Sequence, residues 1–254
     1  MSTKRLYVAD EPYWIVRSSV ADLRPSAVIS DHLHEWHQLL YVSTGVITAW
    51  TDVGSWVAPP SRAIWIPAGI RHGLRSVGES AFCTLYLRPD WWATLPVQCA
   101  ALTVSPLFRE LVLRATGNVV LDQRDAVALA TATLMLHEFR RSETASFTLP
   151  QPVTALTRQA AAWIVENPSQ AATIEHLARA VGVGVRTLER RFVSETGLTI
   201  GRWRQQLFLS RALEQLAVGT SVKAVASDAG YSTPSAFVAR FRSHFGTTPG
   251  RYFA

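Results

Sequence analysis

The chain has 254 residues, 48% of them apolar and 17% charged, with a formal charge of +6 and two cysteines. That length gives room for two ordinary domains, and the composition excludes a disordered chain, a disulfide framework and a cysteine-built metal site. The charge is uneven: residues 1–150 carry 13 Lys+Arg against 13 Asp+Glu, whereas residues 151–254 carry 12 against 6, as a phosphate-binding surface requires.

The opening MSTKRLYVADEPYW lacks the apolar core of a signal peptide, and no run approaches membrane-spanning length, so a cytoplasmic protein without membrane contact is expected. From Ala27 to Leu87 short apolar runs (HQLLYVSTG, VITAW, TDVGSW, AIWIPAG, FCTLYL) alternate with turn signals. Strands spaced about ten residues apart and rich in Val, Ile, Trp and Tyr predict an all-β antiparallel barrel or sandwich over residues 1–100, with a pocket inside.

Within this region His32, His34, Gln38 and Gly45 follow H-x-H-x3-Q-x6-G, and Pro67, Gly69 and His72 follow P-x-G-x2-H. Residues two apart on a strand share a face, so His32 and His34 can converge, joined by His72 from a later strand. Three readings stay open: polar groups of a core or pocket, a divalent metal that holds or senses a ligand, and a catalytic metal. His37 is off parity with His34 unless a bulge intervenes, and with one it can replace Gln38 as a ligand. The pattern resembles the two motifs of the cupin fold, whose metal site uses three histidines and a glutamate. Gln38 stands at the glutamate position, and Ser26, Ser61 and Ser76 stand where that pattern has Gly, Gly and Asn. The resemblance implies a pocket for an effector or metal at His32, His34, Gln38 and His72. Trp36, Trp50, Trp56, Trp65 and Tyr86 suit an apolar or aromatic ligand, or equally a plain core.

Residues Ser105–Ala115 and Asp122–Arg141 have helical spacing, with Asp122 as a cap and Arg140 and Arg141 at the negative end of the helix dipole. This segment, 101–141, either covers one barrel face or pairs with a second subunit. A linker is expected at 142–152, SETASFTLPQP, and a helix at Val153–Glu166 ending before Pro168.

The remaining chain, 153–254, reads as all-α. In ASDAGYSTPSAFVARFRSHFGTTPGRY, Thr233 and Pro234 start a helix with Phe237 and Phe241 on one face. Val222, Val225 and Ala226 precede it on a short helix that stops at Gly230, which makes a helix-turn-helix. IEHLARAVGVGVRTLERRFVSETG repeats the design with Ala178, Gly182, Leu188 and Phe192, its turn one residue shorter. Between them Ile200–Ala217, capped by Thr199 and stopped at Gly219, is a helix roughly 25 Å long, which sets two reading heads about one DNA turn apart.

LARAVGVGVRTLERRF, RWRQQLFLSRALEQL and AGYSTPSAFVARFRSHFGTTPGRY together resemble the DNA-binding domain of the AraC/XylS family of bacterial transcription regulators. In that family a cupin barrel commonly precedes this domain and binds a small effector. The resemblance implies a two-domain regulator that is not an enzyme: a sensor barrel with following helices, then two helix-turn-helix units on a long helix. Its partners are double-stranded DNA, a small-molecule effector, a second copy in a homodimer, and RNA polymerase. Arg186, Glu189 and Arg190 are expected at the bases from the first unit, with Ser235, Val238, Ala239 and Arg240 as the equivalent face of the second. Ala239 departs from the family's basic residue, so the first unit should discriminate bases and the second mainly position, Arg240 reaching phosphate. The alternative is a metal-dependent cupin enzyme fused to a DNA-targeting domain; against it, Gln38 weakens the metal site and no acid–base pair accompanies the histidines.

Overall fold

Alternating apolar residues in the N-terminal half build an antiparallel sheet in the computed structural model, which describes residues 12–145, 148–168 and 173–252. The opening eleven residues and positions 146–147 of the expected linker lie outside those described. The strands are β1 (Trp14–Leu23), β2 (Val28–His32), β3 (His37–Thr51), β4 (Gly54–Ala58), β5 (Arg62–Ile66), β6 (His72–Leu87) and β7 (Ala100–Thr103). Strands β3 and β6 pair along most of their length, from His37 opposite Leu87 to Trp50 opposite Gly73. Each changes its outer neighbour halfway. The first half of β3 pairs with β5 and the second with β4, while β6 pairs with β2 and then β1. Two long strands shared in this way fold one sheet into a barrel with two walls.

HQLLYVSTG and VITAW, which read as separate strands, are one bent strand. The bend needs Gly45: its φ is +72°, and a Cβ there would lie 2.3 Å from the Glu79 carbonyl oxygen. Along β3 the pleat then separates two cores. Leu40 and Val42 join one with Ile64, Ile66 and Phe82. Leu39 and Tyr41 join the other with Trp65, Leu85 and Leu87.

That second core is closed by α1 (Pro106–Gly117) and α2 (Ala126–Arg141), which bury Phe108, Val112, Ala132, Met135 and Phe139 against the sheet. Asp122 does not cap α2. It lies in β8 (Val120–Asp122), pairs with β1 and binds Arg124, and the cap is Asp125, which accepts the Val127 N–H at 2.9 Å. The sheet thus extends past residue 100, through β7 and β8.

Nor is the stretch 142–152 a free tether. β9 (Thr144–Ala145) pairs with β7, and β10 (Thr148–Pro150) pairs with β4, burying Leu149. Pro150 ends that edge strand, where its missing N–H deprives no ladder partner.

The C-terminal half is helical: α3 (Ala155–Glu166), α4 (Ile174–Ala180), α5 (Val185–Thr196), α6 (Ile200–Ala217), α7 (Val222–Asp228), α8 (Pro234–Phe245) and α9 (Pro249–Tyr252). Hydroxyl caps start most of them, including Thr199 on Arg202 N–H and Thr233 on Ala236 N–H. The first unit has its own core of Ile164, Leu177, Leu188, Phe192 and Trp203. The second does not. Phe237, Phe241 and Phe245 continue through Leu209 and Leu213 of α6 into the barrel core.

Candidate functional site

Both units turn on a left-handed glycine. Gly182 has φ +72° and Gly230 φ +76°, and the next N–H reaches back to the preceding helix: Val183 to Ala178 at 3.0 Å, Tyr231 to Ala226 at 2.9 Å. Two residues lie between Gly182 and the start of α5, and three between Gly230 and the start of α8.

On α5, Leu188 and Phe192 are fully buried, which leaves Arg186, Glu189 and Arg190 exposed. On α8, Phe237 and Phe241 are fully buried, and Ser235, Ala239 and Arg240 are exposed. Val238 is half-buried: it packs on the second unit's core and lines the same face as Ser235 and Ala239. Arg242 and Ser243 complete that face and, with Ser235 and Ala239, line an open depression of about 700 Å³. Their side chains are small apart from Arg242, which is why the surface is concave. Arg242 lies seven positions after Ser235, the same side of a helix, so spacing alone locates it.

The barrel brings its three histidines together. Their ligand atoms lie within 4.8 Å of one another, with His32 and His72 ring centroids 4.3 Å apart and His34 and His72 5.0 Å. Strand parity is not the cause, because His32 is the last residue of β2 and His34 lies in the loop after it. His32 sits directly across from His72.

Each Nδ1 faces a backbone carbonyl: His32 that of Ser30 at 2.9 Å, His34 that of Trp36 at 2.6 Å, His72 that of Ile70 at 2.8 Å. An Nδ1–H donated to a carbonyl leaves the lone pair on Nε2, the form a metal takes. Burial pushes His72 down to about 4 and lowers His34, so both rings are neutral near pH 7. His34 Nε2 lies 2.9 Å from Gln38 Oε1, and two acceptors do not bond. A cation on the His34 Nε2 lone pair would draw both, with the amide oxygen as a neutral neighbour.

His72 Nε2 is buried and has no hydrogen-bond partner among the described residues. A buried lone pair left without a donor is costly, and a cation shared with His32 and His34 would satisfy it. The donor set therefore fits a divalent metal held by three imidazoles, with Gln38 as a neutral neighbour. His37 takes no part: its Nδ1 accepts the Ala68 N–H at 2.9 Å and its ring lies against Trp65, in the other core. Trp65 likewise packs on Phe139, away from the histidines. Tyr86 stands beside His34 at 5.2 Å, and Arg17 lies over Trp36 at 4.0 Å.

The three serine departures are also explained. Ser26 (φ +61°) and Ser61 (φ +65°) hold the left-handed backbone that glycine would adopt freely. Ser76 Oγ accepts the Ala27 N–H and donates to the Arg24 carbonyl, closing the turn before β2.

A sheet domain with an internal histidine cluster, followed by paired helix-turn-helix units with outward arginines, defines a two-domain transcription regulator. Residues 22–139 match the AraC-like ligand binding domain, and residues 177–254 match a helix-turn-helix domain. The chain is 31% identical over 223 residues to the HTH-type transcriptional regulator NimR of Escherichia coli K12, covering 88% of this chain and 81% of that one. It is 33% identical over 105 residues to the regulator RipA of Corynebacterium glutamicum, covering 41% of this chain and 32% of the relative. It is 23% identical over 261 residues to the transcriptional activator RhaR of Klebsiella pneumoniae, covering 92% and 90%. Among solved structures, fatty acid-bound ToxT of Vibrio cholerae aligns over 94% of this chain and 95% of its own at 11% identity and a TM-score of 0.38. The chain belongs to the AraC family of transcription regulators, with an N-terminal ligand-binding domain and a DNA-binding helix-turn-helix domain. Among the described residues no helix is long and apolar enough to cross a membrane.

Proposed function

We propose that this protein is an effector-controlled regulator that reads DNA chiefly through α5. The observation that carries this is the partition of that helix: Leu188 and Phe192 buried, Arg186, Glu189 and Arg190 exposed. Arg190 takes a guanine edge, Glu189 a cytosine amine, and Arg186 the neighbouring base or phosphate. Ser235, Val238 and Ala239 of α8 make shorter contacts, and Arg240 holds phosphate, so the second unit positions the first.

In this reading the barrel senses a small molecule, and His32, His34 and His72 hold a divalent cation that takes part in binding it. Such a cation supplies a Lewis-acid centre for an oxygen or nitrogen donor of the ligand. The work is done in the cytoplasm as a homodimer. Leu107 of α1 and Val127 and Leu134 of α2 are about half exposed, and this apolar face suits a second copy. Contact with RNA polymerase follows from binding at a promoter.

The test is selection of duplexes from a random library by the full chain, prepared without a histidine tag. A recovered consensus whose first half-site contains guanine, read less strictly by Arg190→Ala, supports the assignment. Loss of discrimination in the α8 half-site instead would reverse it.

A further inference from the structure

One carboxylate bridges from the helical half to the barrel wall. Glu214, in the last turns of α6, accepts hydrogen bonds through Oε1 from Thr48 Oγ1 at 2.7 Å and from Arg75 Nη2 at 2.7 Å. Thr48 and Arg75 are a directly opposed pair on β3 and β6. They stand on the outer side of the wall whose inner side carries His72, three residues earlier on β6. The same helix meets β6 a second time, where a Cβ on Gly78 would lie 3.3 Å from Val218. Leu209, Leu213 and Phe241 share one buried core with Val46 and Val57 of the same side of the wall.

An exposed ion pair is weak, but Glu214 is only 20% exposed, and its single oxygen ties two strands at once. α6 also carries the second reading helix through Leu213, Val225 and Phe237. A shift of β6 relative to β3 therefore changes the spacing of Thr48 and Arg75, and with it the seat of Glu214.

We propose that Glu214 is the positioning residue that couples the barrel to the second helix-turn-helix unit, transmitting the state of the β3–β6 wall to the orientation of α8. This rests on the reading of the barrel as sensor. By linkage the coupling runs both ways, so DNA held by α5 and α8 must be felt at Thr48 and Arg75.

The experiment is amide hydrogen exchange of the full chain, free and bound to a duplex recovered from a random library, with binding confirmed by anisotropy on the same samples. In the parent chain, DNA should change exchange several-fold at residues 46–50 and 74–77. Glu214→Gln and Thr48→Val should each abolish that change while DNA binding persists, because neither touches the exposed faces of α5 and α8. The swapped pair Arg75→Glu with Glu214→Arg should restore it, which a loss of folding cannot mimic. Unchanged exchange in the DNA-bound parent, or a response kept in both single variants, overturns the proposal. Failure to bind any duplex removes the regulator reading itself, and the proposal with it.

Discussion

Arg190 and Ala239 occupy the same place on the two reading helices. Each lies two residues after one fully buried side chain, Leu188 or Phe237, and two before the next, Phe192 or Phe241, and each is exposed. An arginine at this place reaches a base edge, whereas an alanine offers only a methyl group. Arg190→Ala should lose about 1–3 kcal/mol on the preferred duplex and relax the sequence requirement, whereas Arg240→Ala should weaken all duplexes alike. Binding isotherms of both variants on matched and mismatched duplexes check this.

The barrel cluster gives a prediction about metal. Purified without a tag, the protein should carry one divalent cation per chain, and His72→Ala and His34→Ala should each lose it, while His37→Ala should keep it because its ring is turned away. Elemental analysis is the measurement. Metal retained in both His72→Ala and His34→Ala would remove the site.

Legibility in the sequence followed from periodicity and local chemistry. Thr199, Gly219, Thr233 and Pro234 stand where expected because caps and helix stops are local. Asp122 failed as a cap because β1 offered a strand partner more than a hundred residues away, and no local rule reveals that. The same holds for Thr148–Pro150, whose composition reads as loop but whose backbone completes the edge of β4. Among the site residues, exposure of Arg186, Glu189 and Arg190 follows from helical spacing. The convergence of the histidines was legible, but its cause was not, since His34 reaches the cluster from a loop rather than by strand parity. The coupling through Glu214 joins residues 166 positions apart and has no sequence signal.

Ser26 and Ser61 should be replaceable with gain. Both hold positive φ, which disfavours any side chain with a Cβ. Ser26→Gly and Ser61→Gly should each raise stability by about 0.5–1 kcal/mol, after the greater freedom of glycine in the unfolded chain is subtracted. Thermal unfolding measures it, and Ser76→Gly, which removes the bonds to Ala27 and Arg24, should act in the opposite direction.

Glu195 links α5 to the start of α3 and gives the stability a pH dependence. Burial tends to raise its pKa, but bonds from Thr157 Oγ1, from the Thr154 and Val153 N–H groups and from Thr154 Oγ1 outweigh that and hold it at about 2, against an ordinary 4.5. A depressed carboxyl contributes its full stability above the unfolded value and loses it as pH falls from 4.5 toward 2. Glu195→Ala should cost about 1–2 kcal/mol at pH 7 and flatten the stability profile across that acid range. Denaturant unfolding at several pH values reads both effects.

The most direct test of the central claim is fluorescence-anisotropy binding of the full chain to its library-selected duplex and to a scrambled one across a salt series. The account expects tight, sequence-selective binding to the selected duplex, with affinity falling steeply as salt rises because the basic C-terminal half displaces counterions. Equal affinity for both duplexes, or no binding at low salt from folded protein, would contradict it.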